Sequence, residues 1–247
     1  MSQVRASAGD GSMMTDTRKR LVIFDFDGVL IDSENIALEE LRNCIRAYGV
    51  EIDLAETRAR FLGSSVADHM AFITERTGRP CPDSFRADWH ERLYGRYRKE
   101  LQLVPGAADT LSGLDEAGIP YAIATGGAVE RLNVGLECTG LTERFDGRAF
   151  SAELVARGKP APDIFIYTAE QIGVAASDCL VVEDAPHGTR GALAAGMRVA
   201  GFTGGSHFEA MRDRAAETLL HAGAEVIVDT HAALLDYVLE WADELPE

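Results

Sequence analysis

Residues 21–35 read LVIFDFDGVLIDSEN, a four-residue apolar run that ends in two aspartates, Asp25 and Asp27. An unbroken apolar run of that length predicts a strand buried on both faces, the pattern of a parallel sheet. Buried charge is expensive unless it is paired or binds a metal, so two acids at the mouth of such a strand need a use. Gly28 follows them and lets the backbone turn tightly. The calcium-loop pattern also begins D-x-D, but its fifth, sixth and twelfth positions are here Val29, Leu30 and Ile36, so that reading fails.

Similar runs recur at 120–124 (PYAIA), 179–182 (CLVV), 197–202 (MRVAGF) and 225–228 (EVIV). Helical patterns lie between them. One begins near Gly106 and stops before Gly118, another covers Val129 to Leu136, and a third starts at Pro162 and stops before Gly173. Ser206 and Glu209 have the spacing of a capping box and predict a further helix start. Strand–helix alternation of this kind predicts an α/β fold with a doubly wound, Rossmann-like parallel sheet.

Residues 33–103 break the alternation, with helical periodicity and no convincing strand. A crossover between parallel strands needs about 10–15 residues, far fewer than this block holds. The expected organisation is a flexible tail at 1–20, an α/β core made of 21–32 and 104–247, and an inserted all-helical cap at 33–103.

The formal net charge of −16 argues against nucleic acid or an anionic membrane as partner. An anionic substrate must then be held by local donors or a metal. The four cysteines are scattered and suit a reducing, cytoplasmic setting better than a disulfide framework. Residues 1–20 lack the apolar centre of a secretory signal, and no run reaches the roughly 20 residues of a membrane helix. A monomer acting on a small molecule is the expectation.

Ligands bind at the carboxyl ends of strands in open parallel sheets. There this chain offers Asp25 and Asp27, then Thr125, Gly126 and Gly127, then Glu183 and Asp184, with Lys159 in a G-K-P loop before the Pro162 helix. Carboxylates at that density call for a hard cation with oxygen ligands, and Mg²⁺ is the obvious one. A cation, Lys159 and glycine amides together would hold a phosphate on an acidic protein. Lysine is otherwise scarce, with only Lys19 and Lys99 besides, which singles out Lys159.

DFDGVLIDSE, AIATGG, GKPAPDIF and LVVEDAPHGTRGALAAGM together resemble the four signature motifs of the haloacid dehalogenase superfamily. The insert resembles the small helical cap of the subgroup holding β-phosphoglucomutase and phosphoglycolate-type phosphatases. The resemblance implies that Asp25 is the nucleophile and Asp27 the general acid and base. It implies that Thr125 and the Gly126 amide grip the phosphoryl oxygens, with Lys159 neutralising charge. Asp25, the Asp27 carbonyl and Asp184 would bind Mg²⁺, with Glu183 binding or supporting it. A phosphomonoester hydrolase working through an aspartyl-phosphate on a small organic phosphate, such as a sugar phosphate, is the activity implied.

Asp27 disfavours dehalogenation, since a halide leaving group needs no proton. The phosphonate-cleaving relatives use a lysine early in the cap, whereas here the cap's only lysine is Lys99. β-Phosphoglucomutase carries a histidine and a cap arginine where this chain has Ala37 and Val66, which favours a phosphatase over a mutase. A phospho-aspartate signalling receiver shares the acidic cluster, Thr and Lys, but lacks a long helical insert. Arg60, Ser64, Ser65 and His69, from the loop after the first cap helix, are the candidates for substrate selection.

Overall fold

The computed structural model describes residues 19–244, so the expected tail lies outside it apart from Lys19 and Arg20. Among the described residues six strands form one sheet: β1 Leu21–Phe24, β2 Tyr121–Thr125, β3 Ala149–Ser151, β4 Cys179–Glu183, β5 Arg198–Phe202 and β6 Val226–Val228. Their order is β3-β2-β1-β4-β5-β6, and every pairing is parallel. The chain runs outward from β1 to one edge, then returns to lay β4 on the other side of β1. That reversal opens a crevice at the carboxyl ends of β1 and β4.

Both faces of the sheet are covered, which explains the unbroken apolar runs. Ile23, Ala122, Val181 and Val199 point to one face and pack with Phe165, Ala192 and Leu219. Those three come from α7 Asp163–Ile172, α8 Pro186–Ala194 and α9 Arg212–Ala222. The alternate residues Val22, Phe24, Ile123, Val182 and Phe202 point to the other face, against Leu111, Leu136 and Leu234. These belong to α5 Ala107–Ala117, α6 Val129–Thr139 and α10 His231–Asp243.

Between β1 and α5 lie four helices: α1 Glu34–Ala47, α2 Leu54–Phe61, α3 Val66–Thr77 and α4 Phe85–Glu100. Leu41, Phe61, Phe72, Phe85, Leu93 and Tyr97 build their shared interior, which is continuous with the second face of the sheet. The chain enters and leaves this insert through one paired crossing. Asp32 N–H donates to the Gln102 carbonyl and Val104 N–H to the Leu30 carbonyl, each at 3.0 Å.

Two local readings differ from expectation. Residues 206–208 form only a 3₁₀ turn, and the next helix, α9, starts at Arg212. Ser206 caps no helix because its Oγ donates to Asp32 Oδ1 at 2.7 Å, tying the loop after β5 to the insert's entry strand. Strand β3 has three residues, too few for an apolar run to announce it, and exists through its pairing with β2.

Ile23 is fully buried at the centre of the sheet. Ile23→Ala should lower unfolding stability by about 2–5 kcal/mol, because the close-packed surroundings relax only partly around the lost methyls. Urea titration measures this; a loss well below that range would mean that the face repacks freely.

Candidate active site

The register of the sheet assembles the site. Phe24 is paired with Ile123 and Val182, so Asp25 emerges level with the ends of β2 and β4. Its N–H donates to the Val182 carbonyl at 2.9 Å, which holds it at the lip of the crevice. Beyond it the chain turns at once, with Leu30 and Ile31 N–H groups both donating to the Phe26 carbonyl. Gly28 sits in that turn at φ +77°, and a Cβ there would lie 2.1 Å from Asp184 Oδ2 and 2.8 Å from His207 Cε1. Only glycine fits, for both reasons.

Asp25, Glu183 and Asp184 place carboxylate oxygens within 4.8 Å of one another, all three buried. Lys159 reaches into the group from the loop before α7. Its Nζ donates to Asp25 Oδ1 at 2.6 Å and to Glu183 Oε1 at 2.5 Å. Glu183 also accepts from the Ala185 N–H at 3.2 Å, and Gly188 of α8 leaves room for it, since a Cβ there would be 1.8 Å from Oε1. Thr125, at the end of β2, is buried, and its Oγ1 accepts from the Gly127 N–H at 3.0 Å, which sets the turn through Gly126.

One ammonium does not balance three buried carboxylates. Burial raises the Asp25 pKa, an effect that Lys159 opposes and Asp27 adds to. Burial pushes Glu183 up to about 8 against the pull of Lys159. Asp184 is raised well above the ordinary range by burial and then by Asp25. A set of hard oxygen donors with surplus negative charge, away from bulk water, suits a divalent cation.

The Asp27 carboxylate points elsewhere, toward the insert. Its Oδ1 accepts from Ser33 Oγ and from Arg131 Nη2, both at 2.6 Å. Ser33 stands at the N-cap of α1 yet makes no capping bond, because its hydroxyl is used on Asp27. Arg131 also faces Glu34 at 3.6 Å and lies over the Tyr97 ring. Burial raises the Glu34 pKa to about 7, with Arg131 opposing the shift. Sequence reasoning missed Arg131. Its signal was a cation in the first turn of a helix, where the helix dipole disfavours one.

The four insert residues expected to meet substrate are engaged within the insert. Arg60 pairs with Glu56 at 2.9 Å on an exposed face. Ser65 forms a capping box with Asp68 at the start of α3. Ser64 Oγ lies 2.9 Å from His69 Nε2, and His69 is 2% exposed among Phe61, Phe85 and Trp89. On α2 the arginine that crosses to the core is Arg58, which donates to the His207 carbonyl at 2.9 Å and to Asn35 Oδ1 at 2.6 Å. Positions two apart on a helix differ by about 200°, so Arg58 and Arg60 cannot both face the sheet.

The family is defined by comparison with known proteins. Residues 19–196 match the model of the haloacid dehalogenase-like hydrolases. The chain belongs to that family, and it is an enzyme of the phosphatase type. Over 190 residues it is 32% identical to hexitol phosphatase A of Escherichia coli, covering 72% of this chain and 80% of that one. It is 31% identical over 182 residues to the chloroplastic protein Suppressor of Quenching 1 of Arabidopsis thaliana, of whose length it spans 17%. A solved haloacid dehalogenase-like protein of unknown function from Agrobacterium tumefaciens superposes with a TM-score of 0.76 at 34% identity, covering 91% of this chain and all of that one (100%). Membership of a hydrolase family removes the signalling-receiver alternative. Among the described residues no helix is long and apolar enough to cross a membrane.

The raised carboxyls make a pH prediction. Glu183 keeps its proton up to about 8 in the folded chain but releases it near 4.5 when unfolded, so between these values the folded state binds more protons. Stability of the metal-free protein should therefore fall as pH rises through that window. Urea unfolding in excess chelator should show the decline; added Mg²⁺ should flatten it and Glu183→Gln should shrink it. A level profile in chelator would contradict the raised carboxyls.

Proposed function

We propose that the protein is a Mg²⁺-dependent phosphomonoesterase that hydrolyses a small phosphorylated sugar or polyol, with the phosphoryl group passing transiently to Asp25. The observation that carries this reading is the Lys159 ammonium 2.6 Å from Asp25 inside the buried carboxylate group. Asp25 attacks as the ionised carboxylate, a form that burial disfavours and the neighbouring Lys159 ammonium favours. Lys159 holds it in place and offsets the repulsion from Glu183 and Asp184.

Mg²⁺ held by Asp25, Asp184 and the Asp27 carbonyl, with Glu183 supporting, would supply further neutralisation of phosphoryl charge. The remaining chemistry belongs to the chain. Asp25 attacks phosphorus as the ester P–O bond breaks, and Asp27 gives its proton to the departing oxygen. Asp27 then takes a proton from water as the water oxygen attacks phosphorus, releasing inorganic phosphate and free Asp25. Ser33 and Arg131 both occupy Oδ1 of Asp27, which leaves Oδ2 as the oxygen to carry the proton. Thr125 and the Gly126 amide would bind the phosphoryl oxygens.

Residues 33–103 act as a cap over this crevice in the same reading. Glu34 and Arg131 stand beside Asp27 and would offer a leaving group there hydrogen-bonding groups suited to hydroxyls. The similarity to a hexitol phosphatase supports a polyol or sugar. All four cysteines are free, which supports a reducing compartment such as the cytoplasm. Ala37 is buried in the hydrophobic interior rather than offering a polar group to the site, which favours hydrolysis over a mutase cycle.

Asp25→Asn should form no phosphoenzyme with any substrate. Asp27→Asn should lose about 10²–10⁴-fold on an alkyl phosphate, whose alkoxide needs a proton, and far less on p-nitrophenyl phosphate. Rapid-quench mass spectrometry and steady-state rates read both. Equal losses on the two substrates would remove Asp27 as the acid, and phosphate trapped on Asp25→Asn would remove the nucleophile.

Supplied with β-glucose 1-phosphate and a trace of the bisphosphate, the enzyme should release inorganic phosphate with little glucose 6-phosphate. Efficient isomerisation without phosphate release would show a mutase instead.

A further inference from the structure

His231 is the first residue of α10 and has no part in the chemistry above, yet its ring reaches the turn that carries Asp27. It is 1% exposed, and its Nε2 donates to the Val29 carbonyl at 2.9 Å, across 202 positions of the chain. Among the described residues no other side chain bonds the backbone of residues 25–31. The ring is seated for this contact. Thr110 of α5 donates its hydroxyl to the His231 carbonyl at 2.9 Å and stands 3.2 Å from Nδ1, and the Phe202 ring lies 4.8 Å from the imidazole centre. Gly106 leaves room beside it, since a Cβ there would lie 3.0 Å from the His231 Cβ.

We infer that His231 is a positioning residue for Asp27, acting through the backbone of the turn. The inference rests on the general-acid role proposed above for Asp27. Asp27 lies beyond the end of β1 and is followed by Gly28 at φ +77°, the residue type with the greatest backbone freedom. Inside the turn Gly28 N–H donates to the Ile31 carbonyl at 2.8 Å, and from outside Val104 N–H holds the Leu30 carbonyl. The Val29 carbonyl is held by His231. Val29 is fully buried, so loss of that donor would strand its carbonyl away from water, a state the turn relieves only by moving. Such a movement pivots at Gly28 and shifts Asp27. Asp25 is secured separately, by its N–H bond to Val182 and its pairing with Lys159, so the displacement falls on the acid and spares the nucleophile.

Sorbitol 6-phosphate, with an alkoxide leaving group, and p-nitrophenyl phosphate, whose phenolate departs unaided, test this role. The ratio of their kcat/KM values on one preparation does not depend on how much enzyme is folded. His231→Leu has no donor and should lower that ratio about 10–100-fold, the scale of a small misplacement of a catalytic group. His231→Gln carries an amide N–H near the Nε2 position and should stay within about threefold of the wild-type ratio. Thr110→Val loosens the same seat without removing the bond to Val29, and should leave the ratio at its wild-type value. An unchanged ratio in His231→Leu, or an equal fall in Thr110→Val or His231→Gln, would overturn the positioning role. Should His231→Leu not fold, His231→Asn, polar but too short for the Val29 carbonyl, is measured in its place. If neither folds, the residue serves the fold alone and the inference is overturned as well. Asp27→Asn is the reference: an unchanged ratio there would remove the acid assignment itself, a failure distinct from that of His231.

Discussion

The ammonium of Lys159, held between Asp25 and Glu183 at the open end of the sheet, is the interaction on which the site depends. Without a cation there, three buried carboxylates would have to coexist in a space where Asp25 raises the pKa of both Glu183 and Asp184. Such an ion group adds little to folding, because desolvation offsets most of its attraction. Its value lies in keeping a carboxylate desolvated, oriented and ready at one point. The raised pKa values of Glu183 and Asp184 show that Lys159 alone does not complete the balance, and that remaining excess is what a divalent cation would meet.

The sheet supplies the precision. A parallel register in which Phe24 pairs with Ile123 on one side and Val182 on the other brings three separate loops to one level. Glycines at 28 and 188 then let carboxylates approach backbone more closely than any side chain would permit. The helices behind the sheet hold this arrangement by filling both of its faces, so that strand positions are set by the cores on either side.

Two lines of polar contact between the insert and the core reach the site, apart from the Arg86–Glu153 pair. On one, Ser33 and Arg131 converge on Asp27, with Glu34 beside them. On the other, Arg58 spans Asn35 and the His207 carbonyl, and Asn35 Nδ2 donates to Ser206, which in turn holds Asp32. Each line joins the entry to the insert with a residue touching the acidic group.

The sequence by itself marked out five of the six strands, the helical block between them and the polar residues that gather at the strand ends. Unbroken apolar runs alternating with helical patterns read as doubly covered strands, and the acids and Thr125 that follow them meet where parallel strands end, with Lys159 brought in from the loop before α7. Tertiary structure decided the rest. Which of Arg58 and Arg60 faces the sheet depends on how α2 is rotated against the core, and that rotation is set by packing rather than by local pattern. His69 reads as a polar candidate in sequence but is enclosed by three aromatic rings contributed from α2 and α4. Arg131, Ser206 and the His207 carbonyl acquire their partners Asp27, Asp32 and Arg58 only when segments more than a hundred residues apart are brought together. Strand β3 is too short to bury a pattern of its own and is made a strand by its neighbour. Contacts between distant segments carry no periodicity, which is why the chain alone could not announce them.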